Sequence, residues 1–426
     1  MDVSFGCRVT SACLLLVIAM ASFAQQSSPD SERGLDLGAA VARSLESNPE
    51  LIAFGFQVNA QQARVRQAGL KPAPKLGLLI ENGLGSGDLS GFDGAETTLS
   101  LAWELERGKR ERRIGAARAG VSLLDAEEEI HRLDVAAETA RLFLDALALQ
   151  ERAIRSDAAV RLAEETAAEI KKRVEAARTP TADLGRAEAE LARARLNRED
   201  IEHEQRVAYR RLASQWGDTQ LDFDRVHGDL AHLPAPNPYA DLLARVTQNP
   251  NLARYLSEQR LREAELRLAE SRAKSSWKIT AGIRRLELSN DHAFMAGITI
   301  PLVADKRNQG RVDEAHAQLS MTDANHLASR VRIETQLFAV YQELQHALHR
   351  AATLKEEILP RMEAALRDTE HAYGAGRYSY LELRVVQAEL LNTRFELVKS
   401  SAEAHRSVIE IERLTGTSAT SLAAHQ

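Results

Sequence analysis

The sequence has few of the features that hold compact secreted or catalytic domains together. Its two cysteines, Cys7 and Cys13, both lie in an N-terminal stretch that we expect to be removed. Without them the mature chain can form no disulfide and no thiolate metal site. The net charge of −6 gives no basic excess, so a nucleic-acid partner is not expected.

Long apolar runs are missing after the N-terminus. The run Ala12–Ala21 is too short to span a bilayer, and small residues follow it at Ser22 and Ala24. We therefore predict that residues 1–24 are a cleaved secretory signal peptide. No later segment has the ~18 consecutive apolar residues of a transmembrane helix. An exported chain of this kind can cross a membrane only as a closed β-barrel.

Signatures of catalysis are also missing, so the chain is predicted not to be an enzyme and to need no cofactor. It has no glycine-rich phosphate loop, nucleophile elbow or HExxH pattern. His346 and His349 could share one helix face, but no carboxylate or cysteine pattern completes a metal site around them. We interpret them as solvated helix surface and predict no metal site.

Long helices dominate what is present. Charged residues make up 27% of the chain, and Ala, Arg, Leu and Glu fill uninterrupted stretches, which is typical of long helices and coiled coils. Residues 111–177 contain no proline and would form a rod of roughly 100 Å. Residues 307–373 have the same length, with Pro360 as the expected kink.

An internal repeat organises the chain. Asn48-Pro49 returns as Asn249-Pro250 at an offset of 201. Two further markers return at offsets of 197 and 199, namely Lys109-Arg110 as Lys306-Arg307 and Ala189-Glu190-Leu191 as Ala388-Glu389-Leu390. We predict two structural repeats, 25–217 and 239–416, joined by a proline-containing linker, 218–238, and followed by a C-terminal tail, 417–426.

Each predicted repeat has one order of elements. A short helix (35–47 and 239–248) ends before Asn-Pro and is followed by a second helix (49–69 and 250–274). Two β-like segments, a long helix, a turn and a return helix come next. The four β-like segments alternate apolar and polar residues over 75–81, 97–105, 277–286 and 293–301. This alternation is typical of outer-membrane strands, but periodicity alone fits two soluble hairpins packed on helices equally well.

Four strands per chain cannot close a barrel alone. If they enter a membrane, three chains could pool them into twelve strands and bring their long helices into one tube. The predicted fold class is therefore mainly α with a small β part. It comprises a trimeric 12-stranded outer-membrane β-barrel and a periplasmic α-helical barrel built from long helical hairpins.

Particular motifs resemble the TolC-type outer-membrane efflux proteins over essentially the whole mature chain. They are Asn48-Pro49-Glu50-Leu51, the run 97–110 (TTLSLAWELERGKR), and Leu359-Pro360 followed by Tyr373, Gly376, Ser379 and Leu383. The run ending in Gly108-Lys109-Arg110 is most similar to the cobalt-zinc-cadmium resistance branch. The resemblance implies a homotrimer in outer-membrane lipid with a large periplasmic extension. It also implies a periplasmic adaptor, an inner-membrane pump of the resistance-nodulation-division type, and divalent heavy-metal cations as cargo.

The resemblance also assigns roles to the two turns that join the long helices to their return helices. Docking of the adaptor falls on Arg178, Thr179, Pro180, Thr181, Gly376, Arg377, Tyr378 and Ser379. Because Ala177 stands where the family usually has glycine, the two turns are not expected to dock identically. The candidate pore constriction is Asp183, Arg186, Glu382 and Val385. Rings of carboxylates would attract cations, whereas the simpler interpretation is that Asp183 and Glu382 cap their helices.

Three alternatives remain open from the sequence. A periplasmic adaptor also has a long helical hairpin, although usually one rather than two. A coiled-coil scaffold of an envelope export complex would need no membrane strands. The same channel could instead serve drugs or other organic solutes.

Overall fold

The computed structural model describes residues 33–274, 276–301 and 304–416; the predicted signal peptide and C-terminal tail lie outside the described residues. The described chain is mainly helical. Its helices are α1 Leu37–Ser47, α2 Pro49–Ala68, α3 Lys109–Glu175, α4 Thr181–Ala213, α5 Tyr239–Arg245, α6 Pro250–Ala273, α7 Ala304–Thr353, α8 Leu359–Gly374 and α9 Tyr380–Thr415. The strands are β1 Gly34–Asp36, β2 Lys75–Glu81, β3 Glu96–Leu105, β4 Arg225–His227, β5 Trp277–Leu286 and β6 Asp291–Thr299.

Helices and strands of both predicted repeats begin and end within a few residues of the sequence prediction. The largest correction in the first repeat concerns Leu35, which lies in β1 and not in the first helix. The reason is local: the carboxylate of Asp36 accepts a hydrogen bond from the backbone N–H of Ala39 at 2.7 Å, so the helix starts one residue after Asp36.

The Asn-Pro pairs start a helix in each repeat. Asn48 caps α2 by accepting from the N–H of Glu50 at 2.9 Å, and Asn249 caps α6 by accepting from the N–H of Asn251 at 2.7 Å. Each proline occupies the first helical turn, where no backbone donor is needed. Each asparagine also donates its amide to a distant backbone carbonyl, Gln215 for Asn48 and Leu414 for Asn249. The caps therefore fix the short helices against the ends of the return helices.

The segment predicted to be a linker is packed into the structure and is not a loose spacer. Its β4 pairs in parallel with β1, and Phe223, Val226 and Leu230 are buried in the largest hydrophobic cluster. Gln150 on α3 bonds both backbone groups of Val226 at 3.0 Å, which satisfies polar groups that burial would otherwise leave unpaired. The segment thus joins the two predicted repeats and completes the hydrophobic core of the first one.

The second long rod contains an irregularity before Pro360, as predicted. Residues Leu354–Ile358 form a π-helical turn between α7 and α8. Proline has no N–H and its ring crowds the carbonyl four residues earlier, and a widened turn makes room for the ring. The disturbance therefore starts six residues before Pro360, at Leu354.

The four long strands form one antiparallel sheet in the order β2-β3-β5-β6. The central pair, β3 and β5, comes from different repeats. Within the part of the chain that the structure describes, no helix has both the length and the hydropathy needed to cross a bilayer.

The asparagine caps give a stability prediction. Asn249 is 1% exposed, so Asn249→Ala should remove both the cap and the amide that binds Leu414. We expect it to lower the free energy of unfolding by about 2 kcal/mol, measured by urea denaturation of the detergent-solubilised protein. Asn59→Ala, at an exposed position on α2, is the control and should change little. Equal effects of the two substitutions would contradict the capping role.

Candidate functional site: an apolar sheet face and two paired helical turns

One face of the four-stranded sheet is apolar across every strand. The pairing register places Leu78, Leu99, Ile283 and Phe294 in one row. The two rows beside it contain Leu76, Leu101, Ala281 and Ala296, and Trp103, Ile279 and Ile298. We call these residues, together with Leu105 and Trp277 at the end of the sheet, the apolar face. The alternation predicted from the sequence is therefore in register over the whole sheet.

The opposite face is polar and internally paired. Arg284 binds Glu96 at 2.6 Å and Glu81 at 3.0 Å, and donates to the hydroxyl of Thr98 at 3.0 Å. Thr98 is 1% exposed. These contacts tie β2, β3 and β5 together on the side away from the apolar face.

Side-chain exposure argues against one of the two interpretations that periodicity left open, the soluble hairpins packed on helices. Leu76 is 73% exposed, Phe294 93% and Ile298 64%, so no helix in the described part of the chain covers the apolar face. A soluble hairpin packed on helices would bury these side chains, since they are its only means of forming a core. β2 and β6 form the two edges of the sheet. Their outer backbone groups have no strand partner within the described chain.

The two turns at the far ends of the long helices share one backbone conformation. Ala177 has φ of 58° and Gly376 has φ of 72°, both left-handed. In each turn the next residue donates its N–H to the carbonyl five residues earlier, Arg178 to Arg173 at 2.8 Å and Arg377 to Ala372 at 2.9 Å. This is the usual glycine-terminated helix end. Ala177 is thus held in the same backbone conformation as Gly376, and the expectation that the two turns dock differently stays a prediction about their side chains.

The two turns lie beside each other, tied by contacts between the hairpins. The guanidinium of Arg173 on α3 donates to the carbonyl of Tyr373 at 3.2 Å and lies 4.5 Å from its ring centroid. Arg384 on α9 binds Glu190 on α4 at 2.8 Å. A small cluster that includes Ile170, Tyr380 and Leu383 is buried between them. Burial raises the pKa of Tyr380, so its hydroxyl stays neutral.

The candidate constriction residues take individual local partners. Asp183 pairs with Arg186 at 3.4 Å on its own helix. The carboxylate of Glu382 accepts from the N–H of Ser379 at 2.6 Å and from its hydroxyl at 2.9 Å, which completes a capping box at the start of α9. These two bonds lower the pKa of Glu382. Val385, one turn further on, is 44% exposed.

Sequence reasoning missed the residues that hold the two turns together, namely Arg173, Glu190 and Arg384. Glu190 had been noted only as part of a repeat marker. No local pattern identifies these contacts, because the partners lie 194 and 200 residues apart. The candidate docking residue Tyr378 is 47% exposed, while His346 and His349 are exposed on α7.

Comparison with known proteins agrees with this geometry. Residues 40–218 match the family described as outer membrane efflux protein. The cobalt-zinc-cadmium resistance protein CzcC of Cupriavidus metallidurans is 27% identical over 383 residues, covering 90% of each chain. The outer-membrane channel OprN superposes with a TM-score of 0.74 at 18% identity, over 90% of each chain. The outer membrane protein VceC of Vibrio cholerae gives 0.70 at 19% identity, over 89% of this chain and 96% of VceC.

These comparisons confirm the resemblance to the TolC-type family of outer-membrane efflux proteins that the sequence motifs predicted. Within that family it resembles the cobalt-zinc-cadmium resistance branch, again in agreement with the run that ends in Gly108-Lys109-Arg110. The likeness to the solved channels, at identities below 20%, describes the fold alone.

The left-handed turns give a matched pair of predictions. Ala177→Gly should raise the free energy of unfolding by about 1 kcal/mol, because a left-handed L-residue carries strain that glycine lacks. Gly376→Ala should lower it by a similar amount for the same reason. Urea denaturation of both variants beside the unchanged protein tests this. A loss of stability in Ala177→Gly would mean that the alanine side chain makes a contact that outweighs the strain.

Proposed function

We propose that this protein is one subunit of an outer-membrane exit channel of a tripartite efflux system, and that it carries substrate passively and does no catalysis. The observation that carries the proposal is the apolar face. Four strands with an uncovered apolar side and two open edges stand at the start of a helix of 67 residues, about 100 Å long. Such a sheet is suited to a lipid bilayer, and the long helices would extend from the membrane into the periplasm.

The open edges indicate that more than one chain takes part. In hydrocarbon an unpaired strand edge has no water to bind, so β2 of one chain must pair with β6 of another. Three chains give twelve strands, which leave a lumen. In this arrangement the long helices of three chains form the periplasmic tube. The order of elements recurs within each chain because one ancestral half was duplicated. The exported location follows from the predicted signal peptide.

Partners and cargo are proposed from the relatives. The turns at 177–183 and 376–382 are the far ends of the hairpins and would meet a periplasmic adaptor, which in turn contacts a pump of the resistance-nodulation-division type. The name of CzcC refers to resistance to cobalt, zinc and cadmium. We infer that divalent heavy-metal cations are the cargo here, with organic solutes as the competing class.

Membrane insertion through the apolar face is testable at Phe294. Phe294→Arg places a charge on the lipid side, at a cost of about 2–4 kcal/mol near the middle of the bilayer. We expect much less trimer in the outer-membrane fraction after salt washing. Leu288→Arg, at a position that is 80% exposed in the turn between β5 and β6, is the control and should assemble normally. Normal assembly and pore formation by Phe294→Arg would overturn the membrane role of this face.

The proposed constriction is testable at Glu382. Glu382→Ala should reduce the cation selectivity of single channels in planar bilayers, because three carboxylates would be lost from one ring. The lowered pKa predicts that the selectivity of the unchanged channel persists as pH falls below the range in which glutamate ordinarily protonates. Glu343→Gln, exposed on α7 away from the turns, is the control. Unchanged selectivity in Glu382→Ala would remove the ring from the proposal.

The cargo class has a separate test in cells. Deleting the gene in its own host should increase sensitivity to cobalt, zinc or cadmium salts and leave sensitivity to organic antibiotics unchanged. Sensitisation to organic compounds alone would assign the channel to the competing class and leave the channel function intact.

A further inference from the structure

The boundary between the apolar face and the helical tube contains an arginine in an unusual conformation. β3 passes into α3 through Arg107, with φ of 43°, and Gly108, with φ of 85°. Glycine adopts this region freely, but an arginine is strained there. Strained non-glycine residues persist where the surrounding structure holds them, often at functional positions. The turn thus fixes the direction in which the Arg107 side chain leaves the backbone.

That direction is over an indole ring. The guanidinium carbon of Arg107 lies 4.9 Å from the ring centroid of Trp277, the first residue of β5. Trp277 pairs with Leu105 at the end of the apolar face, and Trp103 lies diagonally across on β3, 40% exposed. Two of the three tryptophans therefore stand at one end of this face. Tryptophan in membrane strands concentrates where hydrocarbon meets headgroups.

The surrounding charges leave the guanidinium of Arg107 free to bind an anion. Arg107 is exposed, and no ion pair found in the described part of the chain includes it. The adjacent carboxylate, Glu106, is occupied by Arg113, whose second amino group binds it at 3.0 Å. Lys109, which donates to the hydroxyl of Ser276 at 2.7 Å, and the exposed Arg112 add further positive charge. The positive end of the α3 dipole points the same way.

These observations favour a specific chemistry. A guanidinium stacked on a ring keeps its N–H edge free, and that edge matches the paired oxygens of a phosphate. The apolar face begins directly beside the indole. A ligand that places a phosphate on Arg107 would lay any attached hydrocarbon against Trp103 and Ile279.

We propose that Arg107 and Trp277 form a headgroup site for an anionic phospholipid at the periplasmic boundary of the membrane band. The site rests on the proposed insertion of the sheet into the outer membrane. It would hold the barrel at a fixed depth, since the phosphate is bound on a residue that the backbone turn has already oriented. Arg107 and the indole together select a lipid with a negatively charged headgroup over a zwitterionic one.

The test measures lipid binding by the intact trimer. Full-length protein is placed in nanodiscs containing equal amounts of phosphatidylglycerol and phosphatidylcholine, released into the gas phase, and its retained lipids are counted by native mass spectrometry. We expect phosphatidylglycerol to be enriched on the unchanged protein. Arg107→Gln should reduce that enrichment about fivefold, the usual effect of one cation near an anionic surface. Arg107→Lys should keep part of it, because the charge remains but the planar fork is lost.

Controls separate this proposal from the channel function. Arg161→Gln changes an exposed arginine on α3, roughly 80 Å along the helix from the site, and should leave the enrichment unchanged. Single-channel conductance of each variant reports whether the pore still forms. If the unchanged protein conducts but shows no preference for phosphatidylglycerol, or if Arg107→Gln keeps the preference, the lipid site is wrong and the channel stands.

Two further outcomes are decisive. If glycerophosphoglycerol, the headgroup without acyl chains, displaces the lipid at equal concentration, the site binds soluble phosphates and the lipid assignment fails. If neither the unchanged protein nor any variant forms a trimer or a pore, the proposed function itself fails. That failure is visible as absent single-channel conductance and not only as a changed lipid count.

Discussion

Everything in this molecule depends on how the backbone hydrogen bonds of one small sheet are completed. β3 and β5 are paired on both sides, whereas β2 and β6 each have one side without a strand. In water, solvent could bind those groups, but the uncovered side chains of the apolar face argue for a medium without water. The proposed sharing of strands among identical chains resolves both problems at once. The long helices, which leave the same sheet, are then drawn into a ring without any further requirement.

A second constraint acts at mid-height of the described chain, where the two repeats meet. Arg413 near the end of α9 binds Asp134 on α3 at 3.2 Å and Glu410 at 2.7 Å. Glu410 also pairs with Arg141 on α3 at 3.0 Å and accepts from Gln336 on α7 at 2.8 Å. Hydrogen bonds to Glu410 raise the pKa of Arg413 despite its burial. Three long helices are thus fixed in register at one level, which leaves the ends of the hairpins to be set by fewer contacts.

The sequence predicted those parts of the fold whose causes are local. The helix breaks at Asn48-Pro49 and Asn249-Pro250, the strand of Trp277–Leu286 and the disturbance before Pro360 each follow from neighbouring residues. The packing of 218–238 was missed, because Phe223, Val226 and Leu230 lie among turn residues, where their spacings of three and four residues form no helix. The charged residues of α4 do not all pair within their own helix. Several of its arginines instead reach α3, as Arg195 does to Glu164 at 2.8 Å and Arg198 to Asp157 at 2.5 Å.

The candidate site also has parts that local sequence predicts and parts that depend on distant residues. The apolar face was predictable residue by residue, since a period of two fixes which side chains share a side. The positions of the two turns were also predictable. Their contacts were not, because Arg173, Glu190 and Arg384 find partners about half a chain away. Nor could the sequence show that Ala177 adopts a glycine-type conformation.

The pairing of β3 with β5 has a consequence for how this chain is made. In the proposed export of this chain the predicted N-terminal repeat is delivered first, with only a two-stranded hairpin, which is marginal by itself. Its apolar side chains have no neighbouring strand until residues 277–286 follow. A partly exported chain therefore exposes a hairpin with apolar side chains and unpaired strand edges to water. Holding factors that shield unfinished strands would be needed during that interval, and a gene shortened after the first repeat would yield a product prone to aggregation rather than a smaller pore.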